Sequence, residues 1–125
     1  MIRLVLEGGA FRGLFTAGIL DVLLENNIEI DEIVGVSAGA LFGVNYFSKQ
    51  KGRAIRYNKK YCGDKRYMSL RSLLLTGNYI NKEFTFYKVT KELDPFDNEE
   101  YKKTNKPFYA VVTNIETGKP EYFKI

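Results

Sequence analysis

The sequence predicts an α/β fold with parallel strands at its start. Strand-length apolar runs alternate with helix-like segments, and two of these runs end in glycine-containing turns that open directly into helices. The third observation is spacing: the 29 positions from Gly8 to Ser37 match one strand-helix-strand unit. Such a unit takes about 30 residues or more and joins parallel strands by a right-handed crossover.

Ile2-Arg3-Leu4-Val5-Leu6 is short, apolar and closed by a glycine pair, the pattern of a buried strand. The loop Glu7 to Gly13 follows. From Leu14 to Asn26 the apolar residues Phe15, Ile19, Val22, Leu23 and Leu24 recur at near-helical spacing, with Asn26-Asn27 as the stop. Ile33-Val34-Gly35-Val36 is a second apolar strand, and Ala38 to Tyr46, rich in Ala and Leu, is a helix that begins immediately after Ser37. Farther along, Lys49 to Arg66 is rich in Lys and Arg. Met68 to Leu75 and Phe84 to Leu93 read as helices, and Asp94-Pro95-Phe96-Asp97 as a loop. Phe108 to Thr113 has strand composition, Glu116 to Lys119 turn composition, and Glu121 to Ile125 reads as a returning strand. A compact α/β domain does not ordinarily stop at a strand, so residues 1–125 are expected to be the N-terminal portion of a single domain.

Composition narrows the chemistry. The 125 residues are 45% hydrophobic, enough for one real core. No apolar run reaches the roughly 18 to 20 residues that span a bilayer, so the expected location is cytoplasmic, extending to the periphery of a membrane. Cys62 stands alone, without Cys or His companions at metal-ligand spacing, so neither an internal disulfide nor a metal site is expected. The chain has no histidine, which excludes Ser-His-Asp chemistry within it. The net charge of +4 and isoelectric point near 9.1 suit an anionic surface but do not point to nucleic acid.

Two constellations carry chemistry. Gly35-Val36-Ser37-Ala38-Gly39 is a Gly-x-Ser-x-Gly pattern set between an apolar strand and a helix. Glycines there permit a sharp turn that presents the Ser37 hydroxyl, and the following helix N-terminus, with the Ala38 amide, favours developing negative charge. The competing reading is a small-residue turn packed closely on the sheet. Glu7-Gly8-Gly9-Ala10-Phe11-Arg12-Gly13, at the end of the neighbouring strand, bares consecutive backbone amides, as an oxyanion hole requires. Arg12 adds a positive charge suited to the oxyanion or to a phosphate. A nucleotide-phosphate loop and a structural glycine turn compete with that reading, although Ala10 occupies a position where the dinucleotide fingerprint needs glycine and no Gly-Lys-Ser/Thr is present.

A serine hydroxyl needs a base, and without histidine a carboxylate is the expected one. Asp21, Asp31, Asp64, Asp94 and Asp97 are present, but none lies beside a glycine at a strand end where it would face Ser37; each reads better as a solvated group, a cap or a turn former. In the basic stretch, Lys49, Arg53, Arg56 and Lys60 would share one face of a continuous helix, either docking on anionic lipid headgroups or simply solvated.

On these residues the chain resembles the patatin-like phospholipase family. The resemblance runs from Leu4-Val5-Leu6-Glu7-Gly8-Gly9 with Arg12-Gly13, through Gly35-Val36-Ser37-Ala38-Gly39-Ala40 and Pro95-Phe96-Asp97, to Thr113-Asn114-Ile115-Glu116-Thr117-Gly118. It implies a three-layer α/β/α fold, no metal or cofactor, and a Ser-Asp dyad that hydrolyses lipid esters through an acyl-serine intermediate. Carried over by position, Ser37 is the nucleophile, held in an elbow by Gly35, Val36 and Gly39. Gly8, Gly9, Ala10, Arg12, Gly13 and Ala38 form the oxyanion hole. Two departures stand out. The family usually has glycine where Ala10 stands, which puts a positive φ there in question, and its catalytic Asp belongs to an Asp-Gly-Gly or Asp-Gly-Ala turn, whereas this chain has no Asp-Gly. The expectations are therefore a C-terminal part missing from the fold and weak or no esterase activity for these residues alone. The rival expectation is a catalytically silent lipid-binding or interaction fragment.

Overall fold

A computed structural model describes residues 1–125. Two compact units are present: Met1–Gly52 with Asp97–Ile125, and Arg53–Phe96.

The first unit is the predicted α/β body. β1 (Arg3–Leu6), β2 (Glu32–Val36) and β3 (Phe108–Thr113) are parallel neighbours, and β4 (Pro120–Lys124) closes the edge antiparallel to β3. A single 3-10 turn (Ala10–Arg12) leads into α1 (Gly13–Glu25), the crossover between β1 and β2. α2 (Ala38–Phe47) follows β2 after one intervening residue, Ser37. The core forms where one sheet face meets these helices: Leu6, Ile33 and Phe108 from adjacent strands pack with Leu20, Ile30, Tyr46 and Phe47. The Phe47 ring meets Tyr46 and Phe108 edge-on at 6.1 and 6.4 Å between centroids, the favoured aromatic geometry.

Alternation along the strands puts Val5, Val36 and Tyr122 on the opposite face, where all three are exposed. Of the three layers implied by the resemblance, this unit contains the sheet and one helical layer. The family of α/β folds is thus borne out, with this sheet face bare.

α5 (Asn98–Lys103) is an element that the sequence reading passed over. Its N-cap is Asp97, whose side chain accepts from the Glu100 amide at 2.8 Å. Glu100 in turn takes Lys49 at 2.9 Å and Lys103 at 2.7 Å, and these two ammonium groups hold its carboxyl down to a pKa of about 2.

The second unit is helical: α3 (Arg53–Tyr61), α4 (Leu70–Thr76) and a π-helical segment (Glu83–Leu93). Ser69 caps α4 by accepting from the Ser72 amide, and Gly77, at φ 72°, ends it in the left-handed conformation. Tyr57, Tyr61, Tyr67, Phe84 and Val89 are buried, with Tyr61 and Phe84 edge-on at 5.5 Å. Burial pushes the Tyr67 hydroxyl up to about 12, and that hydroxyl donates to Asn58 Oδ1 at 3.1 Å.

The structure corrects the expected basic helix face. α2 ends at Phe47, Lys49 turns left-handed at φ 53°, and Gly52 does the same at φ 72°, so Lys49 precedes a break and α3 starts afresh at Arg53. Arg53 is only 3% exposed, and its guanidinium donates to the Asp94 carbonyl at 2.6 and 3.0 Å. It also lies over the rings of Tyr57 and Phe96 at 5.4 and 5.5 Å. Arg56 forms a two-pronged bond with the Asp94 carboxylate at 2.7 and 2.8 Å. These arginines hold the unit together internally, and Lys49 stands outside the helix that carries Arg53, Arg56 and Lys60.

Removing Arg53 takes a buried guanidinium from the rings of Tyr57 and Phe96 and leaves the Asp94 carbonyl without its donor, while Arg56 still holds the Asp94 carboxylate. Arg53→Ala is expected to lower stability to chemical unfolding by about 3 kcal/mol. Arg56→Ala, at a position open to solvent and screening, is expected to cost roughly 1 kcal/mol or less. The acid limb offers another check. Because the Glu100 pKa lies below its ordinary 4.5, its contribution is complete above that pH and is lost as pH falls toward about 2. Thermal melts across this window are expected to flatten in Glu100→Gln relative to the parent chain.

Candidate active site

The ends of β1 and β2 lie side by side, with Leu6 in register with Gly35, so the loop after β1 and the turn after β2 emerge together at the carboxyl edge of the sheet. Ser37 is the whole of the connection between β2 and α2. Its backbone sits at φ 50° and ψ −115°, a conformation that L residues rarely adopt and that costs on the order of 1–3 kcal/mol. That strain turns the chain from strand to helix in one residue and leaves Ser37 exposed at the rim.

Four glycines make the turn possible. A Cβ on Gly35 would lie 2.7 Å from the Ala40 backbone, and one on Gly39 would overlap the Leu6 carbonyl oxygen and come within 2.7 Å of that of Glu7. A Cβ on Gly8 would meet the Ser37 Cβ at 3.1 Å, and one on Gly13 would meet the Ala38 Cβ and the Phe42 ring at 2.9 Å. Gly35 and Gly39 therefore tuck the first turn of α2 under the end of β1. Gly8 and Gly13 bring the glycine loop and the start of α1 against Ser37 and Ala38. Gly43, which the sequence reading did not single out, extends this closeness: its Cβ would lie 2.7 Å from Leu6 Cδ1. The signal for it was the small-residue pair Gly39 and Gly43 at i and i+4 on one helix face.

The loop itself is tightly turned. Ala10 adopts φ 47°, so alanine tolerates the positive φ for which the family ordinarily uses glycine. The Arg12 amide donates to the Gly9 carbonyl at 3.0 Å, closing the turn. The Arg12 guanidinium folds back over Gly9, where an added Cβ would lie 3.4 Å from Nε. The amides of Gly9, Ala10 and Ala38 donate to no acceptor in the chain and remain available. An exposed hydroxyl, unpaired amides on two adjoining turns and a nearby guanidinium together make an arrangement suited to acyl transfer.

The Ser37 hydroxyl makes no side-chain hydrogen bond. Every aspartate weighed as its base has another task. Asp21 accepts from the Gly52 amide at 2.8 Å, and Asp31 from the Ile2 amide at 2.6 Å. Asp64 pairs with Arg66, which lowers its pKa, Asp94 holds Arg53 and Arg56, and Asp97 caps α5.

A family model for patatin-like phospholipases matches residues 4–118, from β1 to the turn before β4. The chain belongs to the patatin-like phospholipase family. It is 27% identical over 126 aligned positions to the uncharacterized protein YjjU of Escherichia coli K12, covering 98% of this chain and 35% of that protein. It is 28% identical over 115 positions to patatin-like phospholipase domain-containing protein 7 of Rattus norvegicus, covering 91% of this chain and 8% of the rat protein. A patatin-like phospholipase domain-containing protein of Caenorhabditis elegans, M110.7, is 39% identical over 64 positions, covering 51% of this chain and 6% of that protein. This patatin-like chain thus spans about a third or less of these relatives.

Space requirements separate the glycines of this patatin-like chain into classes. Gly39→Ala is expected to destabilise by about 2 kcal/mol or more, because backbone must move to admit the methyl group. Gly18→Ala, in α1 with nothing within 4 Å of the added Cβ, is expected to stabilise by about 0.5–1 kcal/mol through helix propensity. Thermal unfolding of the two variants beside the parent chain checks both signs.

Proposed function

We propose that the chain carries the nucleophile and oxyanion hole of a serine-dependent lipid acyl hydrolase acting on esters at a membrane surface. The observation that carries this reading is Ser37, held at positive φ between β2 and α2 with Gly8 against it. Ser37 Oγ attacks the ester carbonyl carbon while its proton passes to a carboxylate base. The carbonyl π electrons move onto oxygen, and the resulting oxyanion is met by amides of the Gly8–Ala10 loop and of Ala38, with Arg12 adding positive charge. Collapse of the tetrahedral species expels the alcohol, which takes up the proton, and leaves an acyl ester on Ser37. Water attacks that ester through a second oxyanion, releasing the fatty acid and restoring the hydroxyl. Removing one oxyanion donor in such a site typically costs about 3 kcal/mol of transition-state stabilisation.

The base in this proposal is an Asp supplied from outside these 125 residues, since the chain has no histidine and each of the five aspartates considered is engaged elsewhere. No metal or cofactor takes part in the proposed steps. The unpartnered Ser37 hydroxyl also favours a second reading, a lipid-binding fragment without turnover.

Prolonged incubation with a fluorophosphonate ester, read by peptide mass spectrometry, tests the assignment. The expected result is phosphonylation of Ser37, slow for want of a base, faster as pH rises, and absent from Ser37→Ala. An adduct at another residue, persisting in Ser37→Ala, contradicts it. Lipid binding without any adduct under alkaline conditions supports the second reading.

A further inference from the structure

Charge is divided unevenly along the chain. Residues 53–96 contain ten Lys and Arg against four Asp and Glu, while the remainder contain nine against eleven, so the whole positive excess belongs to the helical unit. Within that unit Arg53 and Arg56 are committed to Asp94, and Arg66 to Asp64. Lys65, Arg71 and Lys88 are exposed and make no ion pair. With Arg66 and Lys91 they line an open groove of about 790 Å³ whose two carboxylates are Glu83 and Glu92 and whose wall includes Phe84 and Tyr87.

Next to these cations stands a helix turned inside out. In α4 the residue that is buried is Ser72, which donates to the Asn78 carbonyl, while Leu70, Leu73, Leu74 and Leu75 all face solvent, Leu74 at 86% exposure. Four leucines on one seven-residue helix are exposed, three of them at 70% or more, and an apolar surface bordered by free cations marks an interaction site. Charge identifies the occupant. A second copy would bring the same unpaired Lys65, Arg71 and Lys88 against themselves. An acidic protein surface would satisfy the cations but has no need of four leucines. A bilayer bearing anionic phospholipids meets both demands, phosphates for the cations and acyl chains for the leucines.

We infer that α4 and the basic groove beside it form the surface by which the chain docks on an anionic lipid bilayer. Leu70, Leu73, Leu74 and Leu75 enter the boundary between headgroups and acyl chains, and Lys65, Arg71 and Lys88 hold phosphates. The docking surface uses no residue of the Ser37 site and stands apart from the proposed hydrolysis.

Co-sedimentation of the full chain with phosphatidylglycerol and phosphatidylcholine vesicles is the test. The expected result is binding to phosphatidylglycerol that weakens as salt is raised. Partition should fall about tenfold or more in the triple variant Lys65→Gln, Arg71→Gln, Lys88→Gln, and similarly in Leu74→Asn, Leu75→Asn. All these positions are exposed, so circular dichroism should show parental folding in both variants. Ser37→Ala should bind as the parent does, so the docking result holds or fails independently of Ser37 labelling. Equal binding to phosphatidylcholine, no change in folded variants, or self-association lost in the leucine variant without vesicle binding would overturn the inference.

Discussion

The first turn of α2 lies so close beneath the end of β1 that a Cβ on Gly39 would overlap the carbonyl oxygen of Leu6 and crowd that of Glu7. Much of the site's geometry depends on this approach. It requires glycine at 35 and 39, and it leaves Ser37 to make the reversal from strand to helix alone, at positive φ. It also draws the glycine loop into the same corner, where a Cβ on Gly8 would crowd Ser37 and one on Gly13 would clash with Ala38 and Phe42. Two loops far apart in sequence thus share one rim of the sheet. The strain held at Ser37 is supported by the packing beneath it, where Leu6, Ile33 and Phe108 meet Tyr46 and Phe47.

The helical unit is organised by a different interaction. Arg53, buried between two aromatic rings and bonded to Asp94, ties the start of α3 to the end of the π-helical segment. Burial lowers the pKa of its guanidinium, while Asp94 favours the charged form. With Asp94 satisfied by Arg53 and Arg56 together, five of the unit's remaining cations, Lys65, Arg66, Arg71, Lys88 and Lys91, line the groove beside α4. The glycine-flanked turn bearing Ser37 belongs to one unit, and the chain's positive excess belongs to the other.

The parallel start of the sheet was legible because each signal was local: an apolar strand, a glycine turn, a helical period. β1, α1, β2 and α2 begin and end within about one residue of their expected limits. The corner around Ser37 was legible for the same reason, since the glycines that a tight turn demands adjoin the serine. Arg53 was not, because its partner Asp94 lies 41 positions away, and a basic stretch looks solvated until a distant carboxylate is known to face it. The leucines of α4 illustrate the opposite failure. In sequence, Met68 to Leu75 resembles core, and only the packed structure reveals that the serine turned inward. α5 had a local signal, Asp97 three residues before Glu100, that the pattern of apolar residues obscured.

The proposed function requires the turn bearing Ser37 and the glycine loop after β1 to act as one anion-binding corner. A crystal structure of the chain phosphonylated by a fluorophosphonate ester examines it directly. The expected result is phosphorus bonded to Ser37 Oγ, with the phosphonyl oxygen accepting hydrogen bonds from the Ala38 amide and from an amide of the Gly8–Ala10 loop. A phosphonyl oxygen turned to solvent, with the loop amides unengaged, would contradict it.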